Sequence, residues 1–279
     1  MASFTNFATL SYNGGTTNSN IVTGEILEAL TAVKTAVSAN YSAGDRITYA
    51  LSLVNTGTAA ITDYTVTDNL GGYTVGANTV YPLAYNAGTV RYYINGVLQT
   101  APTVTAGPPL TVTGLTVPAG GNAVLIYETT ATPVAPLATG SSITNTATIT
   151  GGGLTTPITA QATVDTANSA ELSISKALSP TTVTENGQIT YTFVISNTGN
   201  TEATATGNVV VTDTFAPILR NIAVTYNGTA WTEGTNYTYN AATGVFTTLA
   251  GQITVPAATF TQNTDGTFTV TPGTATLVI

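Results

Sequence analysis

One short segment of this chain occurs twice, and its two positions do not fit a simple tandem repeat. Residues 3–14 read SFTNFATLSYNG and residues 142–153 read SITNTATITGGG. Without gaps, Ser3, Thr5, Asn6, Ala8, Thr9 and Gly14 match Ser142, Thr144, Asn145, Ala147, Thr148 and Gly153, while Phe4 and Leu10 stand where Ile143 and Ile149 stand. The rest of the chain is two copies of one unit. LTAVKTAV at 30–37 answers LSISKALS at 172–179, and ITYALSLVNTG at 47–57 answers ITYTFVISNTG at 189–199 at the same spacing. YTVTDNL, ending at Leu70, answers VVVTDTF, ending at Phe215, and TVPAGGNAVLI at 116–126 answers TVTPGTATLVI at 269–279. The first copy then runs on through the 142–153 segment, for which the second copy, read to Ile279, has no counterpart. The expectation is a last domain short of one strand, with a copy of that strand, residues 3–11, at the other end of the chain.

The local pattern is strand throughout. Thr, Val, Ile and Tyr alternate with small polar residues over short runs punctuated by Gly, Pro and Asn. Asn95-Gly96 and Asn227-Gly228 carry the left-handed chemistry of two-residue hairpin turns. The fold class expected is all-β, two tandem β-sandwiches with the second incomplete. Residues 1–24 are read as donor strand and hinge, 25–165 as the first sandwich and 166–279 as the second, joined by a linker at 163–170. The Gly-, Asn- and Thr-rich residues 12–24 would be the hinge. Residues 24–37, GEILEALTAVKTAV, are helix-prone by composition. The clean alternation of their counterpart LSISKAL favours strand, at least from Leu30 to Val37.

Composition closes most other routes. Five basic residues against 13 acidic ones give a net charge of −8, with no Lys/Arg cluster to neutralise phosphates or anionic lipid, so neither nucleic acid nor membrane insertion is expected. There is no Cys and no His, which removes disulfides, thiol nucleophiles and the commonest base and metal ligand. No cofactor or metal and no turnover of an outside substrate are expected. Met1 is followed by neither a basic segment nor a long apolar one, so this form is read as carrying no signal peptide.

The series of a first-strand Lys, ITY…NTG, VTD and ITNTAT resembles a bacterial surface repeat, the domain-of-unknown-function-eleven family. Within it, the doubled repeat is most like the major proteins of clostridial endospore appendages. The resemblance implies immunoglobulin-like sandwiches, a place on the spore surface or in an extracellular appendage, and a homopolymer built by head-to-tail contacts on an unknown anchor protein.

Each copy places one Lys in its first strand and one Asp after a central strand: Lys34 and Asp68, Lys176 and Asp213. Lys34 and Lys176 are the only lysines in the chain. The first copy adds Asn145 in what reads as its final strand. The second has no such Asn, but Asn6 in the displaced segment aligns with Asn145. Such a triad resembles the self-formed isopeptide sites of Gram-positive pilins and adhesins, in which first and last strands lie side by side. In an apolar interior a lysine amine is more readily deprotonated, and a carboxyl group can shuttle protons. The expectation is a Lys34–Asn145 bond within a subunit and a Lys176–Asn6 bond between subunits, Asp68 and Asp213 acting as the acids. Phe4, Asn6, Ala8 and Leu10, or the alternate set, would fill the vacant groove.

Plainer readings stay beside these. Both lysines suit exposed strand faces, both aspartates suit turns, and Glu128 is a rival acid in the first copy. NTDGT at 263–267 has a calcium-loop flavour but reads better as a turn. Trp231 with Tyr226, Tyr237 and Tyr239 fits either a sugar-binding patch or cross-strand packing. The competing functional reading is a surface adhesin whose N-terminal strand folds back on its own chain.

Overall fold

The computed structural model describes residues 2–26 and 29–279. The chain is all-β, and its first element stands apart from the rest. Strands β1 (Ala2–Asn6), β2 (Thr9–Tyr12), β3 (Gly15–Asn18) and β4 (Val22–Ile26) form one long hairpin, β1 on β4 and β2 on β3. It turns at Asn13-Gly14, with Gly14 and Gly15 at φ of +148° and +154°, backbone that suits glycine. Of the 12–24 segment, Tyr12 ends the outgoing arm, 13–14 make the turn and 15–24 run back as the return arm of a hairpin rather than as an extended hinge.

The first sandwich follows in chain order as β5 (Leu30–Ala36), β6 (Asn40–Tyr41), β7 (Arg46–Asn55), β8 (Ile61–Asp68), β9 (Tyr73–Val75), β10 (Asn78–Val80), β11 (Leu83–Tyr85), β12 (Arg91–Ile94), β13 (Val97–Leu98), β14 (Thr103–Thr105), β15 (Leu110–Val117), β16 (Asn122–Ala131), β17 (Ser142–Gly151) and β18 (Ile158–Thr166). One sheet has the order β13-β12-β16-β7-β5, with β11 also on β16, and the other β14-β15-β8-β17-β18-β6. Alternate residues of β7, β16 and β17 are buried, as a two-sheet core requires, and Tyr49, Leu51, Leu53, Leu125, Tyr127 and Ile149 meet inside it. β18 packs against β5 and so closes one side of the sandwich. Because β18 runs to Thr166, the expected 163–170 linker shrinks to residues 167–171.

The second unit comprises β19 (Leu172–Ser179), β20 (Thr190–Asn197), β21 (Thr212–Thr214), β22 (Val224–Tyr226), β23 (Thr229–Trp231), β24 (Tyr237–Asn240), β25 (Val245–Thr248), β26 (Thr259–Gln262), β27 (Phe268–Thr271) and β28 (Gly273–Val278). Its sheet β19-β20-β28-β22-β23 repeats the first sheet strand for strand, and β21-β25-β24 repeats β8-β15-β14. Among the described residues nothing takes the places of β17 and β18, so β21 pairs on one side only and is three residues long where β8 has eight. The sequence register at the end of the repeat is corrected by one residue. Phe193 lies opposite Leu277 as Leu51 lies opposite Leu125, so buried Ala275, Leu277 and Ile279 answer Ala123, Leu125 and Tyr127. The ungapped match had put the two strands out of phase, and a one-residue slip turns every side chain to the other face.

The repeated NTG motif pins the same loop twice. The buried Asn55 amide donates to Ala59 O at 2.8 Å and Pro118 O at 3.0 Å, while Asn197 donates to Thr201 O at 2.8 Å and Pro256 O at 3.0 Å. Each Oδ1 accepts from the glycine two residues on. Both expected hairpin turns form, with Asn95 and Gly96 at φ of +48° and +79° and Asn227 and Gly228 at +49° and +78°.

Candidate functional site

Two Lys–Asp pairs occupy equivalent places in the two units, one sealed and one open. Lys34, at the centre of β5, points inward because the buried positions of that strand are Leu30 and Lys34 themselves. Its Nζ lies 2.5 Å from Asp68 Oδ2 on β8 in the opposite sheet, and both side chains are buried. Asp68 Oδ2 also accepts from the Tyr127 hydroxyl, and its Oδ1 accepts from Leu70 N at 2.9 Å. Tyr49 and Tyr127 stack with ring centroids 5.8 Å apart, and Lys34 Nζ sits 4.7 Å from the Tyr49 centroid and 5.8 Å from that of Tyr127. Burial lowers the Lys34 pKa to about 8, an effect that the Asp68 carboxylate only partly opposes. Burial, reinforced by Asp68, raises that of Tyr127.

Asn145 lies on β17, fully buried, and neither its Oδ1 nor its Nδ2 has a hydrogen-bond partner. The amide is close enough to the Tyr49 and Tyr127 hydroxyls to favour their ionised forms, yet it makes a well-formed hydrogen bond to neither. A buried primary amide with two unpaired polar atoms is costly, on the order of 1–3 kcal/mol for each group, and asks for an explanation. The structure thus gathers Lys34, Asp68 and Asn145 around one tyrosine pair. It also corrects the strand geometry. β17 is the last strand but one, and it lies in the sheet facing β5, so a bond between Lys34 and Asn145 would cross the core instead of joining neighbours in one sheet. Glu128 is no rival acid here, since its half-exposed carboxylate faces Arg46 at 3.7 Å on the outer surface.

In the second unit Lys176 Nζ contacts Asp213 Oδ2, and Asp213 Oδ1 accepts from Thr214 N at 2.9 Å. Lys176 lies over Tyr191, Phe193 and Phe215 at 4.6, 5.3 and 5.2 Å, an aromatic cage that shares with the Lys34 site only the tyrosine at the Tyr49 position. Here the Lys side chain is 40% exposed. The β19 residues on the same face are open as well: Leu172 is 40% exposed where its counterpart Leu30 is 3% exposed. Ile279 stands where Tyr127 stands, so no tyrosine hydroxyl reaches Asp213 from that position.

The proposed donor residues Phe4, Asn6, Ala8 and Leu10 are all exposed on the N-terminal hairpin, and the structure brings none of them to Lys176 within one chain. Their counterparts Ile143, Asn145, Ala147 and Ile149 are the core-facing set of β17, which selects this set over the alternate one. Tyr49 and Tyr127 are site residues that the sequence reading missed. Tyr49 had a signal, because the ITY motif repeats it as Tyr191, whereas Tyr127 was hidden by the register slip.

The other candidate sites resolve into packing. Tyr226 stacks on Trp231 at 4.8 Å, Tyr237 packs on Phe246 and Tyr239 on Phe215. Residues 263–267 form the turn between β26 and β27, closed by Asn263 N to Thr267 O at 2.8 Å. Among the described residues no group of acidic side chains is arranged to hold a metal ion, and no helix is long and apolar enough to cross a membrane.

No protein-family model matches the chain, and no curated protein matches it. Among solved structures it is similar to the major pilin subunit BcpA of Bacillus cereus, at 14% identity over 97% of this chain and 73% of that one, with a TM-score of 0.37. It is similar to the pilus backbone RrgB from Streptococcus pneumoniae at 12% identity over 87% and 55%, TM-score 0.35. It is also similar to the 35 kDa C-terminal fragment of the major pilin GBS80 of Streptococcus agalactiae at 12% identity over 52% and 58%, TM-score 0.36. The chain spans little more than half of that last fragment. These likenesses assign no residue a role.

Proposed function

We propose that this chain is the structural subunit of an extracellular fibre that grows head to tail, the N-terminal segment of one subunit completing the second sandwich of the next. The observation that carries the reading is the opened β17 slot. β21 has one unpaired edge, Lys176 and the apolar face of β19 are exposed, and the segment that matches β17 lies in a separate hairpin at the other end of the chain with Phe4 54% and Leu10 63% exposed. An unpaired edge beside an exposed apolar face is unstable in water and invites a strand. Each large side chain that becomes fully buried contributes about 1.5–3 kcal/mol, and each ladder hydrogen bond about 0.5–1.5 kcal/mol.

The β17 pairing dictates the register. Ala147 lies opposite Asp68 and Ile149 opposite Val66, so Ala8 would lie opposite Asp213 and Leu10 opposite Val211. Asn6 then enters the Lys176–Asp213 site as Asn145 enters the Lys34–Asp68 site. The chemistry is self-directed amide formation. Lys34 passes a proton to Asp68, and its neutral Nζ attacks Cγ of Asn145. The Nζ–Cγ bond forms, the Cγ–Nδ2 bond breaks, and a second lysine proton reaches the departing nitrogen by way of the Asp68 carboxyl. Ammonia leaves, and Asp68 holds the remaining proton until solvent takes it. Burial that brings the amine to about 8 supports this, since roughly a tenth of it is neutral at pH 7, against a few hundredths of a per cent at the ordinary lysine value of 10.5. The same reaction at Lys176 and Asn6 would rivet successive subunits.

Such a fibre fits a pilus-like surface appendage, and the repeat motifs favour one carried on an endospore. The test is to boil assembled protein in SDS and urea and weigh each band. The expected result is a ladder of multimers, lighter by one ammonia for each joint, that collapses to monomer in Lys176→Ala and in Asn6→Ala. A ladder unchanged in either variant would overturn the covalent assignment, and a native sample that stays monomeric would overturn the fibre.

A further inference from the structure

We infer that the element passed between subunits is the whole N-terminal hairpin, residues 2–26, and not a single strand. This rests on the strand-donation reading above and deepens it. In the second unit, no described residue takes the place of β17 or of β18. The two absences have different consequences. β17 pairs with β8, so its loss opens the β21 edge, but the strand that packs on β5 is β18. The positions of β5 that face the core are Leu30, Ala32, Lys34 and Ala36, all buried or half-buried, and their counterparts Leu172, Ile174 and Leu178 are 40, 55 and 37% exposed. One strand in the β17 slot would leave that face of β19 in water.

In its β1–β4 part the free hairpin already has the pairing of β17 with β18, and in its β2–β3 part the return arm carries one extra residue, Leu10 lying opposite Thr17. Ser142 lies opposite Asp165, Ile143 opposite Val164 and Asn145 opposite Ala162, while Ser3 lies opposite Glu25, Phe4 opposite Gly24 and Asn6 opposite Val22. Directly opposed residues point to the same face, so Val22 and Gly24 fall where Ala162 and Val164 are buried. The exchange of Ile143 and Val164 for Phe4 and Gly24 keeps a large and a small partner in contact. A Cβ on Gly24 would come within 2.4 Å of Phe4 Cζ, so the ring lies directly over the glycine and would have to turn aside for any larger residue. Val22 is exposed in the free hairpin and has the apolar surface that the β19 face lacks. Passing the hairpin intact also keeps its own ladder, whereas threading one strand would strip residues 15–26 of their partners and leave a new open edge.

Amide hydrogen exchange distinguishes the two modes by sign. Wild-type fibres are compared with the full-length Leu10→Asp chain, whose sandwich fold is checked by circular dichroism and which is expected to remain monomeric. For hairpin transfer, residues 3–12 and 15–26 both exchange at least tenfold more slowly in the fibre. Slower exchange at 3–12 with faster exchange at 15–26 overturns the hairpin and leaves single-strand donation standing. No slowing at 3–12, no wild-type fibres, or fibres from Leu10→Asp overturns both.

Discussion

Replacing Asn145 by Ala isolates the bond proposed within the first sandwich. A Lys34–Asn145 link closes a loop of about 110 residues, for which the chain-entropy relation gives about 5 kcal/mol of stabilisation through the unfolded state. The substitution itself is otherwise mild, because it deletes two buried polar atoms that have no partners. For a sandwich of about 140 residues, each kcal/mol at the midpoint shifts Tm by about 3 °C, so the loss is on the order of 15 °C. Intact mass spectrometry and calorimetry read both consequences. Wild-type subunits should be one ammonia lighter than their sequence, Asn145→Ala should have its full sequence mass, and the first-sandwich transition should fall by that amount. Asp68→Ala, which keeps both reacting side chains, should also show full mass. A wild-type chain at full sequence mass would refute the reasoning outright, and equal melting temperatures would refute the energetic part.

Other outcomes follow from the same geometry. In Asn145→Ala the Lys34 amine stays free and should titrate near pH 8 by lysine-labelled NMR, where wild type shows an amide nitrogen with no titration. Because the folded pKa lies below the unfolded one, the folded state binds fewer protons between about 8 and 10.5. Stability of that variant should therefore rise with pH, by about 1 kcal/mol from pH 8 to 9 in urea melts, before ionisation of the four buried tyrosines in the unfolded chain reverses it near pH 9.5. An amine-acylating reagent should label Lys176 and spare Lys34 in unassembled protein, and label neither in fibres. Asn55→Ala and Asn197→Ala should each cost about 3 kcal/mol by denaturant unfolding, since each removes about three hydrogen bonds that hold a buried loop.

What the sequence made legible depended on scarcity and repetition. Two lysines at the same point of two copies, each followed by VTD, located the paired sites, and alternation in LSISKAL settled β5 against a helix-prone composition. The extent of the second unit's gap was harder to read. β18, ITAQATVDT, buries mainly Ala, Val and Thr, so its alternation carries little hydrophobic contrast, and its end reads as a linker. The return arm of the N-terminal hairpin is ambiguous for a related reason: Gly, Asn and Thr signal both flexible connectors and tight turns, and only pairing separates the two. Tyr127 was lost because Thr, Val and Ala alternate so regularly near the end of the repeat that a match one residue out of phase scores as well as the true register.

The most direct test of the account is a mixing experiment with two single-cysteine chains, clean because the native sequence has no Cys. Thr148 and Thr67 are opposed on β17 and β8, and their counterparts are Thr9 and Thr212. Opposed residues of an antiparallel pair lie about 5.5 Å apart at Cα, within reach of a disulfide. Thr9→Cys chains mixed with Thr212→Cys chains under mild oxidation should yield a heterodimer whose only disulfide-linked peptide joins positions 9 and 212. Homodimers alone, or no 9–212 linkage in protein that has formed fibres, would contradict the claim that each subunit completes the next.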